Sequence, residues 1–287
     1  MKNLVIDIGN TSIKFAHSIN GKLGKSKFED YDKNNFIKKI GTLLSFSVQY
    51  NAIGISCANT EHFSYLKNRF RKEENIFLLS TDSKLPIKID YTKTLGTDRI
   101  CGALGAVKKY TAKKNLLIID FGTATTYNLV SDKVFKGGLI TPGIRTALKS
   151  LILNTSLPEP DLKYKKKLYY KNTLDNISNG VVLQSLFFTE RIIAEYKKEF
   201  KDLFVIATGG NAGLIFPYTK LINKKEHDLN LEGLNYFLEF TGKWKLLLNK
   251  KFSVKILNEE ILVDTNGNCD IINITPLVQD VLIKSKM

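Results

Sequence analysis

The stretch "IDIGNTS" at residues 6–12 is answered by "IDFGTAT" at residues 119–125, an offset of 113 residues. Overlaying the two pairs Ile6 with Ile119, Asp7 with Asp120 and Gly9 with Gly122. Each copy ends an apolar, strand-like run and opens onto another. A repeat of this size restricts the fold to two halves of like architecture, each turning the same loop towards the other.

The order of elements around the copies agrees. Residues 3–8, 12–18 and 22–28 read as strands, with Asn20-Gly21 as a hairpin turn. A helix over 33–47, a strand over 52–57 and a helix over 60–73 follow. In the second half, 116–130 reads as strand, turn and strand, and "KVFKGGLITPG" as a third strand. Helices over 144–153 and 173–198 and a buried strand over 203–210 complete it, and a helix over 97–112 joins the halves. The expected fold is α/β, with domains over 1–114 and 115–242. A β-rich extension over 243–287 has strands "SVKIL", "EILVD" and "CDIINI", a turn "DTNGN" and a helix over 276–285. No chemistry is evident in that tail.

A carboxylate at the end of a core strand is costly unless it is paired, hydrated or bound to metal. After Asp7, Gly9 exposes backbone amides, and Asn10, Thr11 and Lys14 add side-chain donors. Such a set suits a polyphosphate with a divalent cation. The second copy offers Asp120, Gly122, Thr123 and Thr125. Either turn alone also fits an ordinary polar hairpin; two of them facing across a cleft can grip one nucleotide. No GxxxxGK[ST] occurs, and no GxGxxG follows a strand. In "LGTDRI" (95–100), Asp98 suits the first turn of a helix as a capping group. Beside two phosphate turns it also suits a base that orients a substrate hydroxyl and takes its proton. Arg99 can clamp a carboxylate with two parallel hydrogen bonds. "GGLITPG" (137–143) and "TGG" (208–210) mark places where backbone comes close to something.

Composition excludes other classes. No stretch approaches the roughly 20 apolar residues of a membrane helix, and the strand-like N-terminus is not laid out as a signal peptide, so a cytoplasmic protein is expected. Cys57, Cys101 and Cys269 form no CxxC pair, and His17, His62 and His227 have no metal-ligand spacing. The net charge of +15 raises nucleic acid as a partner, but only five of the 43 basic residues are arginine. A lysine-rich solvated surface is the expectation instead.

Taken together, DxGNTxxK at 7–14, GxDR at 96–99, DxGTAxT at 120–126, GGxIxPG at 137–143, "NT" at 172–173 and TGG at 208–210 are similar to the pattern of type III pantothenate kinases. That family is also called Bvg accessory factor. "LNLEGL" (229–234) resembles its C-terminal signature, so the likeness spans roughly residues 1–242. The resemblance implies the acetate and sugar kinase/Hsp70/actin fold with two ribonuclease-H-like domains. It implies transfer of the ATP γ-phosphate to the 4′-hydroxyl of pantothenate, the first step towards coenzyme A. By position, Asp7, Ile8, Gly9, Asn10, Thr11, Ser12, Ile13 and Lys14 resemble the ATP phosphate loop, and Thr123 a second ATP contact. Asp98 resembles the proton acceptor. Tyr91, Gly96, Thr97, Asp98 and Arg99 resemble pantothenate contacts, and Thr173 one that reaches across a homodimer interface. Asp120 resembles the ligand of a monovalent cation, K⁺ or NH₄⁺, while Asp7 would face Mg²⁺ through the phosphates. Partners are thus ATP, pantothenate and a second copy, not membrane or nucleic acid. One departure stands out: Asn128 occupies a position where the family usually has Asp. Two rival functions fit the same motifs, a nucleotide-binding regulatory protein without turnover and a kinase for another small hydroxy acid.

Overall fold

The computed structural model describes residues 1–45, 47–165, 167–248, 252–256 and 259–263. Two compact units make up the chain, Met1–Leu238 and Glu239–Met287. Everything that positions the site lies in the first.

Its first sheet is built from β1 (Lys2–Ile8), β2 (Ser12–Ile19), β3 (Lys22–Leu23), β4 (Lys27–Asp30), β5 (Ala52–Cys57) and β6 (Ile76–Leu78). The strand order is β3-β2-β1-β5-β6, with β4 also on β2. Helices α1 (Phe36–Leu44) and α2 (Thr60–Arg69) follow β4 and β5. The second sheet holds β7 (Lys88–Ile89), β8 (Asn115–Phe121), β9 (Ala124–Ser131), β10 (Val134–Pro142), β11 (Phe204–Thr208) and β12 (Lys224–Lys225), in the order β12-β11-β8-β9-β10-β7. In each sheet the motif strand pairs antiparallel with the strand after its turn and parallel with a later one. The two copies in the sequence are therefore copies of one topology. They differ in one respect: Asp7 lies opposite Lys14, seven positions on, whereas Asp120 lies opposite Thr126, six positions on.

Between the sheets run α3 (Thr97–Lys109) and, within the first unit, residues 229–238 of α6 (Leu229–Leu248). Val5 of β1, Leu116 and Ile118 of β8, and Leu229, Leu231 and Leu234 of α6 share one core with α3. The two helices meet almost backbone to backbone. A Cβ on Gly105 would stand 2.2 Å from the Leu229 carbonyl oxygen, and one on Gly233 1.9 Å from that of Cys101. Only glycine allows that approach. The outer face of the second sheet carries α4 (Ile144–Leu153) and α5 (Thr173–Glu199).

The third strand expected over 22–28 is broken into β3 and β4, with the Gly24 amide turned back onto the His17 carbonyl (2.8 Å). β6, β7 and β12 have two or three residues each, too few to show an alternating pattern. In the second unit β13 (Phe252–Ile256) and β14 (Glu259–Val263) pair antiparallel. The expected turn "DTNGN", strand "CDIINI" and helix 276–285 lie outside the described residues. No helix among the described residues is long and apolar enough to cross a membrane.

Candidate active site

A cleft of about 500 Å³ is lined by both motif turns. From the first come Asp7, Gly9, Asn10, Thr11, Ser12 and Lys14; from the second, Asp120, Gly122 and Thr123. Asp98 joins them from the first turn of α3, and Gly209 and Gly210 from the end of β11. The structure thus gathers at one place residues spread over 200 positions of sequence. It places Ile8 and Ile13 elsewhere: both side chains are fully buried in the core beneath the first turn.

Each turn closes by its own hydrogen bond, Gly9 N–H to the Ser12 carbonyl (2.9 Å) and Gly122 N–H to the Ala124 carbonyl (3.1 Å). Tyr31 donates to the Gly9 carbonyl (2.5 Å) and braces the first turn from its flank. The second is held from outside by the Gly143 amide (3.0 Å) and the Thr146 hydroxyl (2.6 Å), both on the Thr123 carbonyl. A Cβ on Gly143 would meet the Gly122 carbonyl oxygen at 2.3 Å. Gly209, at φ +90°, passes so close that its Cβ would stand 2.4 Å from Asp120 Oδ1. Gly143 of GGLITPG and Gly209 of TGG therefore serve the second turn, whereas Gly137 lies against the Tyr91 ring and Gly138 against the backbone of Tyr127.

Three carboxylates share the cleft, and the Asp98 charge raises the other two. Burial, then the Asp98 charge, pushes Asp7 up to about 6. Burial, then Asp98 and Asp7, pushes Asp120 up to about 7. Asp98 is raised by burial too, partly offset by the Arg99 amide and guanidinium. Its Oδ1 accepts from the Arg99 amide (2.8 Å) within the first turn of α3, whose N-cap position is Gly96, so Asp98 is a first-turn acid and not the cap. Its place in the cleft gives it a second use.

Lys14 reaches Asp228 Oδ1 (2.8 Å) and the His227 carbonyl (2.6 Å), so its charge is engaged by the segment before α6. Thr97 is also engaged, accepting from the Ser56 hydroxyl and the Cys57 amide (3.0 Å each). Arg99, Tyr91 and Gly96 do not line the cleft, and they form a neighbouring group with Thr97. The Arg99 guanidinium lies 5.3 Å from the Tyr91 ring centre and 5.4 Å from that of Phe135. Arg99 is 6% exposed, Nε donates to Asn128 Oδ1 (2.6 Å), and Nη2 has no hydrogen-bond partner. Asn128 in turn donates to the Thr126 hydroxyl (2.9 Å). Asn128 thus orients Arg99. Thr173 is exposed at the first turn of α5 and lines neither group.

Among the described residues no three acidic, histidine or cysteine side chains form a ready cation cage. The donors that converge are hard oxygens on one or two carboxylates. That is the set with which Mg²⁺ is bound when phosphate oxygens and water fill its remaining positions.

Sequence reasoning missed Asn230 of α6. Its Nδ2 lies 3.3 Å from Asp7 Oδ2 and 3.3 Å from Asp120 Oδ2. The signal was present in "LNLEGL", a polar residue among leucines, but no helix was expected there. Ser26, Phe28 and Ala58 also line the cleft and were missed.

Comparisons with known proteins agree with this arrangement. The family model for type III pantothenate kinase matches residues 3–195. A type III pantothenate kinase of Petrotoga mobilis is 32% identical, over 82% of this chain and 96% of its own. One of Christiangramia forsetii is 36% identical, over 83% and 98%. In fold, the chain is similar to a Baf family protein of Campylobacter jejuni (TM-score 0.55, 19% identity, 84% of this chain and 99% of that one). A ROK hexokinase of Thermus thermophilus is comparable (TM-score 0.54, 13% identity, 84% and 100%). The fold is shared with these structures and with a ROK family protein of Streptococcus pneumoniae (TM-score 0.52, 14% identity, 85% of this chain and 100% of that one).

Proposed function

The chain belongs to the type III pantothenate kinases, and from that premise we infer how its cleft divides the reaction. It phosphorylates pantothenate with ATP in coenzyme A biosynthesis, using a divalent metal. The observation that carries the assignment of roles is that two Asp-Gly turns and Asp98 line one cleft.

The first turn holds the ATP phosphates. Gly9, Asn10, Thr11 and Ser12 supply backbone amides, hydroxyls and an amide side chain, while Ile8 and Ile13 contribute backbone only. Lys14 exchanges Asp228 for phosphate oxygen when nucleotide enters. Thr123 contacts ATP from the opposite turn. Asp7 faces Mg²⁺, which when bound offsets phosphate charge. Asp98 orients the 4′-hydroxyl of pantothenate and takes its proton. The hydroxyl oxygen bonds to the γ-phosphorus as the bond to the ADP oxygen breaks. A loose phosphoryl transition state needs alignment and charge neutralisation more than a strong base, and a buried carboxylate with a raised pKa meets that need.

Arg99 grips the pantothenate carboxylate through its free Nη2, with Tyr91, Gly96 and Thr97 around it. A buried guanidinium paired to a neutral amide keeps its charge for an anionic ligand. Asp120 faces a monovalent cation, K⁺ or NH₄⁺. Thr173 meets the substrate of a second copy in a homodimer; Leu174, Phe187 and Phe188, exposed on the same helix, give that copy apolar surface to cover. The compartment that supplies ATP and pantothenate is the cytoplasm.

The test is ADP release with ATP, Mg²⁺ and pantothenate, in K⁺ and then in Na⁺. Pantothenate-dependent turnover that requires K⁺ is expected. Asp98→Asn is expected to cost about 10²- to 10⁴-fold in kcat at an unchanged melting temperature. A folded protein that turns over in neither salt overturns the reading in favour of a regulatory binder. Turnover with a different hydroxy acid reassigns the substrate.

A further inference from the structure

Asn230 stands at the second position of α6, between the ends of the two motif strands. Its carboxamide has two N–H groups, and one oxygen of each motif carboxylate lies 3.3 Å from Nδ2. Both donors are thereby spent on two like charges that belong to different sheets. Asn230 Oδ1 is buried without a hydrogen-bond partner.

The backbone that carries Asn230 has no freedom to move away. Leu229 and Gly233 on either side of it are pressed against Gly105 and Cys101 of α3, and a Cβ on Gly102 would touch Asn230 Oδ1 at 3.2 Å. The start of a helix also directs its positive end at both carboxylates. One neutral side chain is therefore fixed by the helix crossing at a set distance from two anions that repel each other.

We propose that Asn230 is a positioning residue that holds Asp7 and Asp120 at the spacing needed to receive the cations of the phosphoryl transfer. This rests on the reading that both carboxylates face those cations. It adds a residue on the wall of the cleft that acts through the two carboxylates and sets how tightly the cations bind. Without its two hydrogen bonds the carboxylates splay apart. Cation affinity falls, whereas chemistry at saturating cation continues, because Asp98 and the phosphate turns stay in place.

The experiment is a set of activation curves for Mg²⁺ and for K⁺ on wild type, Asn230→Ala, Asn230→Asp and Asp120→Asn, with melting temperatures alongside. Loss of a partner behind a cation ligand weakens cation binding about 10- to 100-fold. Asn230→Ala is expected to raise at least one cation's half-saturating concentration by about tenfold. Its kcat at saturating cation should stay within about threefold of wild type and its KM for pantothenate should not move. Asn230→Asp, matched in size but carrying an anion where the donor was, should bind cation still differently from wild type and turn over less. Should both variants titrate as wild type while Asp120→Asn does not, the proposal for Asn230 is overturned and the reading of the carboxylates stands. If Asp120→Asn titrates as wild type as well, both readings fall. A drop in melting temperature with unchanged activation curves marks Asn230 as a structural residue and also overturns the proposal.

Discussion

The two motif turns share a sequence pattern and a topology, yet they are built for different loads. The first spans seven positions from Asp7 to its cross-strand partner and leaves Asn10 and Thr11 exposed to the cleft. Tyr31 braces it through its hydroxyl on the Gly9 carbonyl and its amide on the Thr11 carbonyl, and the Ala58 amide holds the Ile8 carbonyl. The second is one residue shorter. It is clamped by Gly143, Thr146 and Gly209, whose backbones or side chains abut it directly. One turn offers an exposed set of donors to a ligand. The other is a fixed platform for a single buried carboxylate. Repetition of a motif therefore does not imply repetition of a role, because the packing around each copy decides what its residues are free to do.

Glycine substitutions give the largest expected effect and test that contrast directly. Gly209→Ala puts a methyl group 2.4 Å from Asp120 Oδ1 and 2.6 Å from the Phe121 carbonyl carbon, at a φ of +90°. A clash with backbone combined with a left-handed conformation is expected to cost about 3 kcal/mol or more, or a fall of roughly 10 °C in melting temperature. Gly9→Ala meets the Ser12 carbonyl oxygen at 3.5 Å and the Ser12 hydroxyl oxygen at 3.8 Å, both ordinary contacts. It should melt within about 2 °C of wild type yet bind ATP more weakly, since its methyl group intrudes where phosphate approaches. Calorimetry and nucleotide titration read both. Equal thermal losses in the two variants would erase the distinction between platform and donor surface.

Much of this was legible from residue order. The duplicated Asp-Gly turns, the strand order around them and the place of Asp98 all follow from short-range patterns: an apolar run, a carboxylate, a glycine. α6 did not follow. Its first ten residues, "LNLEGLNYFL", are apolar on several sides because they are sandwiched between two sheets, and such a helix shows little of the one-sided stripe that marks a surface helix. Asn230 was hidden with it, since its two partners lie 223 and 110 residues away. Arg99 shows the opposite limit. Its motif drew attention to it, but its freedom to bind a ligand depends on Asn128, 29 positions further on.

A smaller effect concerns charge in the cleft. Asp7 and Asp120 are raised from 3.8 to about 6 and about 7. A folded pKa above the unfolded one means that the native state holds the proton more tightly. The associated stability is then fully present below the unfolded value and is lost as pH rises through the folded value. Cation-free protein should therefore lose stability between about pH 4 and 7, the interval from the unfolded to the folded values, relative to a variant whose cleft carries one charge fewer. Asp120→Asn keeps a neutral group there at every pH. The melting temperature of wild type minus that of Asp120→Asn should fall steadily across that range, and it should fall less once Mg²⁺ and nucleotide are added. A difference independent of pH would show that Asp120 is already charged at pH 5 in the folded protein.

The smallest expected effect asks whether the second half serves pantothenate as the first serves ATP. Asn128 leaves the second turn on β9 and accepts from Arg99 Nε at 2.6 Å. Asn128→Asp can keep that bond, and the Thr126 hydroxyl can turn to donate to the new carboxylate. The fold should therefore change little, within about 1 kcal/mol. The electrostatics change more, because a buried anion beside Arg99 neutralises charge that would otherwise act on the substrate carboxylate. KM for pantothenate is expected to rise about three- to tenfold, with kcat and KM for ATP unchanged. The same substitution raising KM for ATP alone would place Arg99 on the nucleotide side of the cleft. The division of labour between the two halves would then have to be redrawn around Asp98.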